Sequence, residues 1–229
     1  MADAATAHRF SWRPGSRVER IHDSHSYGVV LALVVAGFLV AASAPAAAWS
    51  DSLMLLVQSA TLVVALWTSG IARGDSSISL TLIAVSVTVA AANIVWSGKD
   101  FSAASGLLAA GLVVATVTAI IFGIGDQLEV SARSVLGAIS IYILAGMLFT
   151  LAYGVVAALG SGPFFAQGMD GTRPLRLYYS FVTLATLGYG DYTTASNLGH
   201  VLSVVEALIG QLYLVTVVTV IVSRVRFRR

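Results

Sequence analysis

Thr186-Leu187-Gly188-Tyr189-Gly190-Asp191 decides how this chain is read. The stretch sets two glycines one residue apart in a largely uncharged strip, flanked by long apolar segments. Gly188 and Gly190 permit backbone angles that other residues resist. The carbonyls of Thr186, Leu187, Gly188 and Tyr189 can therefore all be turned toward one axis, and such a ladder can replace the water shell of an ion.

Working outward, the strip follows Tyr178-Tyr179-Ser180-Phe181-Val182-Thr183-Leu184-Ala185, a short amphipathic run too brief to cross a bilayer. Before it, Gly162, Pro163, Gly168, Gly171 and Pro174 interrupt the chain too often for a crossing. This region reads as an outer turret, a half-length helix and the carbonyl strip. The plain alternative is a glycine-rich turn between two membrane helices. It leaves the coincidence of Thr186, both glycines, Tyr189 and Asp191 without a reason.

Composition places the rest. The chain is 57% apolar and 10% charged, so most of it belongs in lipid. Stretches of about 18 to 25 apolar residues cross a bilayer as helices. Six are expected here, over Tyr27 to Trp49, Leu53 to Ile71, Ile78 to Trp96, Ala103 to Ile124, Val135 to Leu159 and Leu198 to Ser223. Trp49, Trp96, Tyr27 and Trp67 fall near span ends, as interfacial aromatics do. The fold class is thus an all-α membrane protein, with the re-entrant helix and strip between the last two spans. Cysteine is absent, which removes disulfides and thiolate metal sites. The small net charge, +2, sits at span ends rather than on a soluble face, so no nucleic-acid partner is expected.

The strip and its preceding helix resemble the potassium-channel pore family, whose usual filter reads T-V-G-Y-G. The resemblance is specific from about Val135 to Arg229, and this chain departs from it in having Leu187 where the family usually has Val. Only the carbonyl of that position would face the ion. The resemblance implies potassium binding at Thr186, Leu187, Gly188 and Tyr189, with the Thr186 hydroxyl at the inner end, Gly190 completing the turn and Asp191 capping the outer mouth. It makes Tyr178, Tyr179 and Thr183 filter supports, with the tyrosine hydroxyls reaching Asp191 or Tyr189. A solvated turn carboxylate is the bland reading of Asp191. Some family members carry a carboxylate in the pore helix that pairs with the filter aspartate. Val182 stands there, so that pairing is missing. Gly210 matches the glycine about which the family's inner helix bends, against a plain role in close helix packing. Gln211, Tyr213, Thr216 and Thr219 are candidates for the inner vestibule. No second filter strip exists in the chain, so four copies are expected to assemble as a homotetramer.

Glu206 is the acid within a span. An ionisable group in lipid is costly enough that it should face protein or water. It is read as a brace for the pore helix or filter, or alternatively as a neutral carboxyl satisfied by Ser203.

With both termini cytoplasmic, Arg9, Arg13, Arg17, Arg20, Arg73, Arg133, Arg224, Arg226, Arg228 and Arg229 lie inside, and Lys99, Arg173 and Arg176 outside. That bias, ten of the 13 basic residues, follows the positive-inside rule and puts the filter mouth at the exterior of the cell membrane. The chain divides into a basic leader, 1–26, a four-helix region, 27–125, a pore region, 134–223, and a basic tail, 224–229. Leader and tail suit anionic lipid. A rival for the first span is a cleaved leader, because Ala41 to Ala48 resembles a signal-peptidase site.

The fourth span, Ala103 to Ile124, holds no charged residue, whereas voltage sensing needs several arginines moving through the field. The first four spans therefore read as a scaffold, with Asn93 a helix-helix hydrogen bond. The tail leaves no room for a regulatory domain. His8, His22, His25 and His200 read as surface residues. No clustered catalytic groups appear, so an enzyme is not expected. The missing inverted repeat argues against alternating-access transport. The expected function is passive potassium conduction without a conventional voltage sensor and without any cofactor beyond the permeant ion. A nonselective cation pore is the nearest rival, through Leu187.

Overall fold

The computed structural model describes residues 17–43, 48–70, 76–95, 99–125 and 132–226. The side chains of Arg9 to Arg20, Arg73, Asn93, Trp96, Lys99, the arginine tail, His8, His22, His25 and Ala44 to Ala48 lie outside the described part, and with them the cleavage-like motif beyond Ser43.

The described residues form seven helices: α1 (Arg17–Ser43), α2 (Ala48–Thr68), α3 (Ser76–Val95), α4 (Lys99–Gly125), α5 (Ala132–Leu159), α6 (Arg173–Leu184) and α7 (Asn197–Arg226). Among the described residues, α2, α4, α5 and α7 hold stretches long and apolar enough to cross a membrane. The described apolar parts of α1 and α3 are shorter, Tyr27–Ser43 and Ile83–Ala92. The first span differs from its expected limits. α1 stops at Ser43, two residues before Pro45, and Trp49 belongs to α2. Proline disfavours the helical region for the residue before it, which is the sequence signal for a division of the apolar stretch.

α1, α2, α4 and α5 share a continuous core. Tyr27, Val30 and Val34 of α1 meet Ala65 of α2, Val113, Ala119 and Ile120 of α4, and Leu144 of α5. At one end, Arg133 donates to the Thr68 carbonyl at 2.8 Å and sets its guanidinium 4.6 Å from the Tyr27 ring centroid. A cation over an aromatic face is favourable, and here it ties the start of α5 to Tyr27 of α1 and the end of α2. At the other end, Arg173 at the start of α6 forms an ion pair with Asp51 in the first turn of α2. The two contacts mark opposite ends of the bundle.

α6 lies within this frame. Ala41, Met54, Met147 and Leu177 form a buried cluster that joins α1, α2 and α5 to α6, and Phe38 meets Phe181 edge-on at 5.0 Å. The four-helix region thus backs directly onto the half-length helix. α7 packs on α5 and α6 and leaves most of its apolar length uncovered.

Candidate functional site

α6 is 12 residues long, about 18 Å at the usual rise per residue, which is short of a crossing. It begins at Arg173, five residues before the expected start. The Thr172 side chain accepts from the Leu175 N–H, and Pro174 occupies the first turn. Proline is welcome there, since its missing N–H would have no helical partner. Pro174 opens this helix rather than interrupting the turret. The amphipathic face then points inward, with Leu177, Tyr179, Ser180, Val182 and Leu184 buried.

The helix ends against the strip. Thr186 N–H donates to the Thr183 carbonyl at 2.9 Å, and Leu187 N–H to the Val182 carbonyl at 2.9 Å. Beyond that point the backbone alternates. Thr186, Gly188 and Gly190 have φ of 56°, 56° and 74°, while the intervening Leu187 and Tyr189 do not enter the positive region. An extended strand sends successive carbonyls to opposite sides. Alternation of hand from residue to residue turns them to one side instead. Glycine adopts positive φ freely, but for β-branched Thr186 it costs about 1–3 kcal/mol.

Residues 186 through 191 are all exposed on the single chain. The Tyr189 ring stacks on Tyr178, with centroids 6.5 Å apart and planes 21° from parallel. The Tyr178 hydroxyl donates to Asp191 Oδ2 at 2.7 Å, and Asp191 Oδ1 accepts the Tyr192 N–H at 3.1 Å. That hydrogen bond is the main reason the Tyr178 phenol is pushed up to about 12. Tyr179 goes elsewhere. Its hydroxyl lies 2.7 Å from Ser203 Oγ on α7, not at Asp191 or Tyr189. Thr183 serves the strip through its carbonyl.

The loop before α6 folds over the Asp191 end of the strip. Gln167 Nε2 donates to the Asp191 carbonyl at 3.0 Å, and the Ala166 and Ala195 N–H groups donate to the Thr193 and Phe164 carbonyls, each at 2.8 Å. Beneath it, Phe164 and Phe165 join Tyr153 and Tyr179 in a buried aromatic cluster. Arg176 donates to the Asp170 and Gly171 carbonyls at 3.1 and 2.6 Å. Burial, then the charge of Arg176, lowers Arg173 to about 10, which leaves it protonated at neutral pH and paired with Asp51.

Glu206 is fully buried between helices. The Ser180 hydroxyl of α6 lies 2.5 Å from its Oε1 and 2.7 Å from the Gly146 carbonyl of α5. The Tyr153 hydroxyl of α5 donates to its Oε2. One carboxyl thus joins α5, α6 and α7. Ser203, its candidate partner, instead donates to the Gly199 carbonyl at 2.8 Å and accepts from the Tyr179 hydroxyl at 2.7 Å, while the Tyr153 hydroxyl oxygen lies 3.5 Å away. Gly210 sits where α7 crosses the end of α6. A Cβ there would collide with the Leu184 carbonyl oxygen and lie 3.0 Å from Leu184 Cδ1. α7 continues through it without a break.

Sequence reasoning singled out Glu206, Tyr178 and Tyr179 but not Tyr153, Ser180 or Gln167. A tyrosine inside an apolar span, carrying a hydroxyl that must find a partner, is the available signal for Tyr153. Gln167 offered none.

A family model described as an ion channel matches residues 156–227, which run from the last turn of α5 through the turret, α6 and the strip into the end of α7. No curated protein and no solved structure matches the chain. The chain is accordingly an all-helical membrane protein whose segment 156–227 is similar to an ion-channel family.

Proposed function

We propose that this protein is a homotetrameric, potassium-selective channel whose filter is Thr186 to Asp191, opened by something other than a charged voltage sensor. The alternating backbone of the strip carries the reading. In the strip, positive φ at Thr186, Gly188 and Gly190 favours a file of carbonyls on one side, the arrangement that strips a cation of water. Irregular backbone at membrane depth is tolerated only against protein or a water-filled cavity. The strip is exposed on one chain, so further copies around a common axis supply that cover. α7, open along its apolar length, gives those copies a surface.

α6 adds the charge preference. A helix carries about half a negative charge at its C-terminus, and this one ends at Leu184, against the inner end of the strip. Cations gain there and anions lose. Asp191, held by Tyr178 and the Tyr192 N–H, sets a carboxylate at the other end. Tyr178, Tyr179, Thr183 and Glu206 form the support behind the filter. Gly210 admits the close crossing of α7 over α6 and is the position about which the inner helix bends.

The remaining helices act as a surround of the pore, for six crossings in all, with both termini cytoplasmic in the cell membrane. The ion pair of Asp51 with Arg173 fits the outer side, and Arg133 with Thr68 and Tyr27 the inner. α4 carries no charge between Ala103 and Ile124, which fits a static role.

Purified full-length protein, weighed intact from a membrane mimic and then fused into planar bilayers, tests this reading. A fourfold mass and unitary potassium currents are expected. A monomeric or dimeric mass, or bilayers that stay silent, would overturn it.

A further inference from the structure

Gln58 lies near the middle of the apolar stretch Trp49–Thr68, about 14 Å from either end at the helical rise. It is 4% exposed, and neither its Nε2 nor its Oε1 has a hydrogen-bond partner in the protein. An amide left dry in hydrocarbon costs several kcal/mol. The same side chain lines a small cavity where four helices meet, together with Thr61 of α2, Gly37 of α1, Thr116 of α4, and Leu144 and Met147 of α5.

The cavity has about 10 Å³ for the centre of a water-sized sphere. That is about the room one water needs. Its lining is mostly apolar, and the polar side chains that border it are Gln58, Thr61 and Thr116. Thr61 and Thr116 donate their protons to the Val57 and Leu112 carbonyls, each at 2.7 Å, which leaves lone pairs on both hydroxyls as acceptors. Gln58 offers a donor and an acceptor. A water can accept from Gln58 Nε2 and donate to Gln58 Oε1 and to a threonine oxygen, within the two to four partners that hold a buried water.

We propose that this cavity is a built water site, in which one internal water pairs with Gln58 and bridges α2 to α4 at mid-membrane. The site touches the pore through Met147, which also packs on Leu177 of α6. The water is a mid-membrane polar tie between α2 and α4, and it fixes the face of α5 on which the pore helix rests.

Gly37 allows the water to be removed while Gln58 stays. A Cβ there would sit 3.4 Å from Val57 Cγ1 and 3.6 Å from Met147 Cε, ordinary contacts, so Gly37→Ala is sterically admissible and places a methyl in the cavity. In the full chain, glutamine-labelled in bilayers, water-edited solid-state NMR should show signal reaching the Gln58 side-chain amide from water, the peak being assigned by its loss in Gln58→Met. Gly37→Ala should abolish that transfer and lower the folded-to-unfolded ratio about tenfold, the cost of orphaning a buried amide. A Gln58 amide that receives signal from methyl groups alone in the wild type would overturn the proposal. So would a Gly37→Ala variant more stable than wild type, the result of filling a dry hole.

Discussion

Replacing Glu206 by valine should loosen the junction of α5, α6 and α7 by an amount the hydrogen bonds fix. Valine roughly keeps the volume, so the loss is polar. Ser180 retains the Gly146 carbonyl at 2.7 Å and is barely affected. Tyr153 is fully buried, and its hydroxyl is left with Ser203 Oγ at 3.5 Å, too far to replace the carboxylate. An orphaned buried hydroxyl costs about 1–3 kcal/mol, incurred once in every copy of an assembly. Adding Tyr153→Phe to Glu206→Val removes the orphan and should recover most of that loss. Glu206→Gln should cost less than about 1 kcal/mol, because an amide can accept from Tyr153 and donate to the Ser180 oxygen. Thermal dissociation of the solubilised assembly, followed with the four proteins side by side, reads these differences. A Glu206→Val protein as stable as wild type would refute the reasoning. A double variant no more stable than Glu206→Val would do the same, since it would mean that the Tyr153 hydroxyl is not the group left unpaired.

Gly210→Ala should destabilise by about 1–3 kcal/mol, the usual cost of overpacking, because its methyl meets the Leu184 carbonyl. Normal melting and normal currents would mean that α7 does not approach α6 so closely. Tyr178→Phe removes the 2.7 Å bond to Asp191 and should change the rate at which currents inactivate. With the Tyr178 value raised to about 12, the contact is complete below the ordinary tyrosine value of about 10 and is lost as pH rises through about 12. Wild-type inactivation should therefore not respond to this contact between neutral pH and about 9, and a Tyr178-dependent step in that window would contradict the geometry. Gln167→Ala frees the Asp191 carbonyl from its 3.0 Å clamp and should speed inactivation with little change in melting. An equal effect on both would make Gln167 a general turret residue.

The helical membrane fold and the strip were legible because glycine spacing and apolar length are local signals. Limits set by single residues were less so. Pro174 is a breaker in most contexts, and only the Thr172 side chain bound to the Leu175 N–H shows that it opens a helix. Tyr178 and Tyr179 looked equivalent as neighbours. On a helix, adjacent residues point about 100° apart, so one reaches Asp191 and the other reaches Ser203 on α7. Glu206 was visible as a costly carboxyl, but its partners come from α5 and α6. Ser203, a turn away on its own helix, was the neighbour that local spacing suggested. The strained φ at Thr186 runs against what a β-branched residue prefers, so propensity pointed away from it.

The central claim is that the Thr186–Asp191 strip selects potassium, and the reversal potential of the purified channel under opposed potassium and sodium gradients tests it most directly. The account predicts a reversal close to the potassium equilibrium potential, following that potential as the gradient is changed. A reversal near zero under equal and opposite gradients, with currents present, would show that the strip passes both ions and would contradict it.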